Sequence, residues 1–308
     1  MSIRVIRGHP CSTCPRRCGV DRTRGELGLC RTGDDLPVAH IGLHFGEEPP
    51  ISGTKGSGTV FFAYCNLRCV YCQNFQISQR AEELSIRHLA PDELASEMLA
   101  LQARGAHNVN LVSPTHVAAR LAEALTIARQ RGLHIPVVYN TNGYESVETL
   151  QGLEGLIDVY LPDIKYSDDA VAKAYSGVDG YVEANRQAIA EMFRQVGNLV
   201  TDRRGIARRG LLVRHLVLPG GLAGSRDSLA FLASLSRDMV ISLMAQYSPQ
   251  HRAREFPPLD RKITVEEYEA VVDMALELGL DNCFVQEVES SEVFVPDFRE
   301  AEPFGAGS

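Results

Sequence analysis

The chain has no run of the eighteen or so apolar residues that a membrane-spanning helix needs, and its start, Met1-Ser-Ile-Arg-Val, carries no signal-peptide core. No membrane partner and no secretory leader are expected. An excess of positive charge is also lacking. Thirty-one Lys and Arg stand against 39 Asp and Glu, a net charge of −8, which argues against nucleic-acid or anionic-membrane partners. The basic cluster of Arg203, Arg204, Arg208 and Arg209 is interrupted by glycines and reads as a solvated loop. No Ser/His/Asp arrangement, P-loop, GxGxxG or His-Glu-x-x-His motif stands out, and there is no internal repeat or low-complexity segment.

Cysteine, by contrast, is patterned. Seven of the eight cysteines fall in two tight clusters, an unusual arrangement for a disulfide framework in 308 residues. Clustered cysteines read as metal ligands, and the expected location is a reducing cytoplasm. With 44% apolar and 23% charged residues the composition is that of a soluble globular protein of one or two domains.

The first informative run is Cys65-Asn-Leu-Arg-Cys69-Val-Tyr-Cys72. Three thiolates within eight residues can hold three irons of a [4Fe–4S] cluster. A usual cluster takes four cysteines, so three leave one iron open for chemistry. The alternatives are a zinc loop with a fourth ligand elsewhere, or three unrelated thiols. Thr59-Val-Phe-Phe62 reads as an apolar strand entering the loop.

The second cluster is Cys11-x2-Cys14-x3-Cys18-x11-Cys30. Four cysteines saturate either a zinc ion or an iron–sulfur cluster, and the sequence leaves both open. Glycines from Gly25 to Gly33 suit a small metal-knit knuckle. Cys283, alone in an apolar stretch, is expected as a core thiol.

Residues 1–50 have little regular pattern and are expected as a cysteine-rich metal-binding module. Residues 51–297 alternate strand and helix signals, and residues from Phe298 to 308 read as a loose tail. Pro91-Asp-Glu-Leu starts a helix that stops at Gly105. Val117, Leu121 and Leu125 mark another, closed by Gly132. Thr264 opens a third with a capping box to Glu267. Strands are expected at Val109–Val112, Ile135–Tyr139, Ile157–Leu161, Leu211–Leu218 and Val240–Ala245, with a late one over Cys283–Val288. Repeated strand–helix units mean parallel strands with right-handed crossovers. The expected fold is α/β, a partial, open (β/α)6 TIM-like barrel. A doubly wound sheet has similar patterning.

In parallel barrels the chemistry sits at the C-terminal strand ends. Here those ends carry Ser113, Pro114, Thr115 and His116, then Asn140-Thr-Asn-Gly143, then Asp163-Ile-Lys165, Arg214-His215 and Gln246-Tyr247. A period of two puts Asp163 and Lys165 on one face. His116 and His215 either donate to a ligand at this mouth or are packed. His40 and His44 are not read as ligands.

The cysteine loop, with an aromatic residue before its last Cys, resembles the radical SAM superfamily. Gln73-Asn74 is similar to the ending of that motif in glycyl-radical activating enzymes. Asn140-Thr-Asn-Gly143, Asp163-x-Lys165 and Val213-Arg214-His-Leu-Val-Leu-Pro219 resemble segments of pyruvate formate-lyase activating enzymes. His44-Phe-Gly-Glu-Glu-Pro-Pro-Ile51, Leu111-Val-Ser-Pro-Thr-His116 and Val285-Gln-Glu287 extend the likeness to their PflX-like homologues over nearly the whole chain. The resemblance implies that Cys65, Cys69 and Cys72 hold a [4Fe–4S] cluster whose open iron binds S-adenosylmethionine. Tyr71 would lie along the adenine, and Ser113, Thr115, Asn140, Asp163, Lys165 and Arg214 would bind the polar groups. A reductant such as flavodoxin or ferredoxin would supply the electron.

The implied reaction is reductive cleavage to a deoxyadenosyl radical and hydrogen abstraction from a substrate the sequence does not name. A glycyl-radical partner protein is the first version; a peptide or small molecule is the second. A non-catalytic iron–sulfur electron carrier is the reading from another class. Three departures from the family pattern stand out. Tyr64 occupies a position where Gly is expected. Ser113-Pro-Thr115 stands where a Gly-Gly-Glu segment is expected. Asn140 replaces an Asp that some activases use for a monovalent cation.

Overall fold

The computed structural model describes residues 10–288 and 295–305. Among the described residues there are ten strands: β1 Leu36–His44, β2 Ser57–Phe62, β3 Arg87–Leu89, β4 Val109–Val112, β5 Val137–Thr141, β6 Val159–Pro162, β7 Val200–Thr201, β8 Ala207–Leu216, β9 Val240–Met244 and β10 Cys283–Val285. They join in the order β10-β9-β8-β6-β5-β4-β2-β1-β3, with β7 paired to β8. From β2 to β10 the neighbours along this order are parallel, while β1 lies antiparallel to both β2 and β3. β10 and β3 are the two edges and do not meet. The sheet is therefore an open, partial barrel, as the alternation of signals predicts.

Helices between the parallel strands cover the outer face. Pro91–Ala103 starts with Pro at its first turn, and Glu93 accepts from the Ala90 N–H at 2.7 Å. Val265–Glu277 carries the expected capping box, with Thr264 and Glu267 bonding reciprocally. Alternation along the strands separates two cores. Val137, Tyr139, Tyr160, Leu211 and Val213 pack towards the helices. Val138, Val159, Leu161 and Leu212 form a second cluster on the inner face.

What fills the lower part of that inner face comes from the segment that reads as patternless. β1 is a nine-residue strand, so the sheet begins well before residue 50. Because it runs against β2, its end at His44 lies opposite Ser57, where β2 begins. The chain then turns inward, and the short helix Pro49–Ser52 buries Ile51 among Val138, Val159, Leu161 and Leu212. Full burial of such a side chain contributes about 1.5–3 kcal/mol. Residues 45–52 thus plug the end of the barrel opposite the strand C-termini.

The chain from Phe298, expected as a loose tail, packs where it is described. Phe298 and Phe304 lie with ring centroids 5.3 and 5.4 Å from Phe61, and the Phe298 N–H donates to Gln76 Oε1 at 2.8 Å. Residues 306–308 of that tail and residues 1–9 of the N-terminal module lie outside the described residues. Arg203 and Arg204 lie on the β7–β8 turn and Arg208 and Arg209 at the start of β8, and Arg204 and Arg208 pair with Asp202.

Candidate active site

Above the plug, a cavity of about 500 Å³ opens between the strand ends and the loop that follows β2. Its volume is in the range of small-molecule sites. Cys65, Cys69, Tyr71 and Cys72 form one wall, and Ser113, Asn140, Asp163, Lys165 and Arg214 line the rest. Nine of the ten residues expected at the site from the sequence therefore meet in one cavity.

The loop is shaped by its backbone. Tyr64 has φ +68°, the left-handed region that glycine enters freely. This is the physical reason a glycine suits the position. The Tyr64 N–H donates to Ile77 O at 2.7 Å, which closes the loop over residues 65–76. Gly143 is required for a different reason. Its φ is +76°, and a Cβ there would stand 2.2 Å from Asp163 O and from Asn185 Nδ2.

Each thiol has a polar partner. The Leu67 N–H and Asn142 Nδ2 reach Cys65 Sγ at 3.4 and 3.3 Å. Ser176 Oγ lies 3.0 Å from Cys69 Sγ and Ser78 Oγ lies 3.2 Å from Cys72 Sγ. Burial pushes the pKa of Cys65 up to about 11 and that of Cys72 to about 12, and raises that of Cys69. Such thiols ionise only beside a positive centre. Among the described residues no three His, Cys, Asp or Glu side chains gather closely enough to hold a single metal ion. The irons of a cluster each take one thiolate, so its sulfur ligands stand apart. Three thiols around one cavity, with no fourth in the lining, fit a cluster with one open iron.

Lys165 Nζ lies 2.6 Å from Asp163 Oδ2, with the two side chains 15% and 21% exposed. Burial pulls the Lys165 pKa down, and the adjoining Asp163 carboxylate outweighs it, so the ammonium is held above its ordinary value. Arg214 is gripped by two glutamates that sequence reading did not single out. Its Nε and Nη2 donate to Glu48 at 2.8 and 2.7 Å, and Nη2 also donates to Glu47. Burial opposes the guanidinium charge, and Glu48 and Glu47 hold it well above its usual range. The likeness over His44–Ile51 includes Glu47 and Glu48 but gives them no role. Only the plug brings them to the cavity.

Other expectations change. Thr115 does not line the cavity. Its hydroxyl donates to the buried Glu145 at 2.5 Å and lies 3.3 Å from Thr141 Oγ1. Tyr71 does line the cavity, but its hydroxyl is committed to Tyr166 at 2.6 Å, in a chain running through Ser176 to Cys69. His116 and His215 are packed: His116 Nε2 meets Ala63 O, and His215 bridges Ile164 O and Ser225 Oγ. His44, not read as a ligand, lines the cavity.

The N-terminal cysteines sit behind the Cys65–Cys72 loop. Cys11, Cys14 and Cys30 are buried and Cys18 is exposed. Burial works to raise the Cys11 pKa, but the Thr13 N–H, the Arg22 charge and a hydrogen bond with Cys18 bring it below its ordinary value. Arg22 Nη2 reaches Cys30 Sγ at 3.3 Å, and Cys14 feels the charge of both Cys30 and Cys11. The module is strapped to the loop. Arg16 Nε donates to Asn66 O at 2.5 Å, Arg16 Nη2 to Gly177 O at 2.9 Å, and Arg68 Nη2 to Leu29 O at 2.8 Å.

Comparison with known proteins gives this geometry a lineage. The family described as the radical SAM superfamily matches residues 59–204. Uncharacterized protein MJ0674 of Methanocaldococcus jannaschii is 31% identical over 278 residues, spanning 88% of this chain and 75% of that protein. Uncharacterized protein MJ0808 of the same organism is 25% identical over 302 residues, spanning 92% and 82%.

Among solved structures, TYW1 with a lysine–pyruvate adduct bound aligns at a TM-score of 0.48 and 10% identity, over 77% of this chain and 83% of that one. HydG, a maturase of the [FeFe]-hydrogenase, aligns at 0.47 and 13%, over 71% of this chain and 48% of its own. This chain thus spans about half the length of HydG. From the family match and the MJ0674 relationship, the chain belongs to the radical SAM superfamily and is a radical SAM enzyme.

Proposed function

We propose that the protein cleaves S-adenosylmethionine reductively at a cluster held by Cys65, Cys69 and Cys72 and uses the resulting radical to abstract a hydrogen atom from its substrate. The carrying observation is one cavity with three thiols on one wall and the Asp163–Lys165 pair on another. When bound, the cluster would supply one electron to the sulfonium. The chain's own residues position and shield. Lys165 offers an ammonium to a carboxylate, Asp163 offers a carboxylate to an ammonium, and Asn140 and Ser113 offer neutral polar groups. Asn142, Ser176 and Ser78 donate to the three sulfurs, which tunes a cluster's potential.

The likeness of Asn140–Gly143 and Asp163-x-Lys165 to pyruvate formate-lyase activating enzymes supports a glycyl radical on a partner protein as the first target. The lining lacks a fourth thiol beside Cys65, Cys69 and Cys72, which favours an enzyme over a fully ligated electron carrier. The four N-terminal thiols are proposed as a second metal site, an auxiliary cluster or, with the thiols drawn together around one ion, a structural zinc. Anaerobically reconstituted protein incubated with S-adenosylmethionine and dithionite should release 5′-deoxyadenosine, and Cys69→Ala should not. Wild-type release by that variant would refute the site.

A further inference from the structure

The sheet does not close, and the C-terminal part of the chain lies at the opening. His44 of β1 and Phe61 of β2 border the cavity from one margin, and Phe284 and Val285 of β10 border it from the other. Pro296 and Phe304 belong to the same lining. They come from a segment that rests on an apolar patch of the inner face, where Ala39, Phe61, Ile77 and Val112 cluster with Phe298 and Phe304. Phe298 meets Phe61 edge-on at 5.3 Å between ring centroids. Phe304 lies 5.4 Å from Phe61 and 4.1 Å from the His44 ring.

The segment is attached by side chains. None of residues 295–305 belongs to a strand or a helix. The Phe298 N–H donates to Gln76 Oε1 at 2.8 Å, and Gln76 Nε2 donates to Asp297 Oδ1 at 3.0 Å. Other main-chain bonds tie the segment to itself: Asp297 N–H to Pro303 O at 2.8 Å, Glu300 N–H to Asp297 O at 3.1 Å and Gly305 N–H to Glu302 O at 3.0 Å. Arg299 pairs with Asp297 within it. Asp297, Phe298 and Phe304 stay partly exposed. A segment bonded to itself and anchored by partly exposed rings can undock as a unit and leave the sheet intact.

We propose that this opening is the entry port for a peptide substrate bearing an aromatic side chain, and that residues 296–304 are a strap which the incoming segment displaces. The strap displays the chemistry the port accepts. Aromatic rings pack on an apolar patch. A main-chain N–H is received by the Gln76 carboxamide, a contact any peptide can make. Gln76 lies on the short helix Phe75–Gln79, just after Cys72, so a chain held here is held beside the cysteine loop. The port deepens the reading of the cavity as the site of S-adenosylmethionine cleavage and rests on it.

Two measurements on anaerobically reconstituted full-length protein test the port. In hydrogen exchange, the Phe298 amide should exchange at least about a hundredfold faster than the amides of β2, because it needs the strap to undock and not the sheet to unfold. Phe304→Ala should speed that amide further and leave β2 unchanged. Exchange of Phe298 at the rate of β2 would make the segment a fixed wall and overturn the proposal. Calorimetric titration with a peptide copying residues 295–305 then tests the occupant. A strap open in about 10% of molecules or fewer weakens a competing peptide at least tenfold, so the variant Phe298→Ala/Phe304→Ala should bind it about tenfold or more tightly than wild type. The same peptide with both phenylalanines replaced by alanine should not bind. No binding to the variant, equal binding to both proteins, or binding indifferent to the two rings would each overturn the port. Should the double variant not fold, Phe304→Ala alone releases one anchor, and several-fold tighter peptide binding is expected; unchanged binding would overturn the proposal. Absence of 5′-deoxyadenosine from dithionite-reduced wild type would instead refute the cleavage reading, because neither measurement requires turnover.

Discussion

Replacing Glu145 with Gln should stabilise this protein above neutral pH. It lies just after the Asn140–Gly143 turn and is 1% exposed. Thr115 and Thr141 donate to its Oε1, and the Tyr139 hydroxyl reaches Oε2 at 3.4 Å. Among the described residues no cation is bonded to it. Burial raises its pKa from the ordinary 4.5 to about 7, against the opposing pull of the hydroxyls. A raised carboxyl pKa means that the fold favours the protonated form. The stability from Glu145 is therefore complete below pH 4.5 and is lost as the pH rises through about 7. A shift of this size corresponds to roughly 3 kcal/mol, at 1.36 kcal/mol per pKa unit.

Glu145→Gln mimics the protonated side chain: its oxygen still accepts from both threonines, and its amide can donate to Tyr139. Urea unfolding of metal-free protein under anaerobic conditions, at pH 4 and pH 8.5, should show nearly equal stability for the two proteins at the lower pH. At the higher pH the variant should be more stable by up to about 3 kcal/mol. A variant that is less stable at pH 8.5, or whose stability difference from wild type does not change with pH, would refute the reasoning.

Other tests follow from the site. Lys165→Ala removes a charge-assisted donor contributing about 1.5–3 kcal/mol, so S-adenosylmethionine affinity measured by calorimetry should fall roughly 10–150-fold; unchanged affinity would make the Asp163–Lys165 pair only structural. At Tyr64, φ +68° makes Tyr64→Ala the worse replacement. Tyr64→Gly should be more stable than Tyr64→Ala by about 1 kcal/mol in thermal or urea unfolding, and the reverse order would show that the loop relaxes. Protein with Cys65, Cys69 and Cys72 changed to Ala isolates the N-terminal site. About four irons and four sulfides per chain would mean an auxiliary cluster, one zinc a structural knuckle, and neither would end the metal assignment.

The cysteine wall of the cavity was legible because its signals are local. Cys65, Cys69 and Cys72 fall within eight residues, and the polar ends of β4, β5, β6 and β8 follow apolar runs that announce strands. The plug was not legible. In β1 the inward period is broken by an irregularity between Val38 and His40, so Leu36 and Val38 are out of phase with Ile41 and Leu43, and the alternation that marks a strand is lost. With β1 unseen, nothing could place Glu47 and Glu48 opposite Arg214, 166 residues from Glu48 along the chain. The helix Tyr181–Val196 escaped for a simpler reason: it starts after Gly180 in a left-handed conformation with no side-chain cap, so its start signal is missing. Thr115 was misplaced because a strand end offers two directions, and the pull of buried Glu145 decides between them.

The strapping of the N-terminal module has a consequence for the order of synthesis. Its holding partners are all translated after it: Asn66 and Arg68, then His116, then Thr149 and finally Gly177. The four thiols therefore leave the ribosome well over a hundred residues ahead of the surface they dock on. At about 5–20 residues per second they wait on the order of ten seconds, open to oxidants and to any thiophilic ion. Were these thiols to hold the proposed metal, delivery after docking rather than affinity during elongation would decide how the site is filled. Over-expression that outpaces iron or zinc supply should yield chains that have folded their barrel around an empty or wrongly filled module.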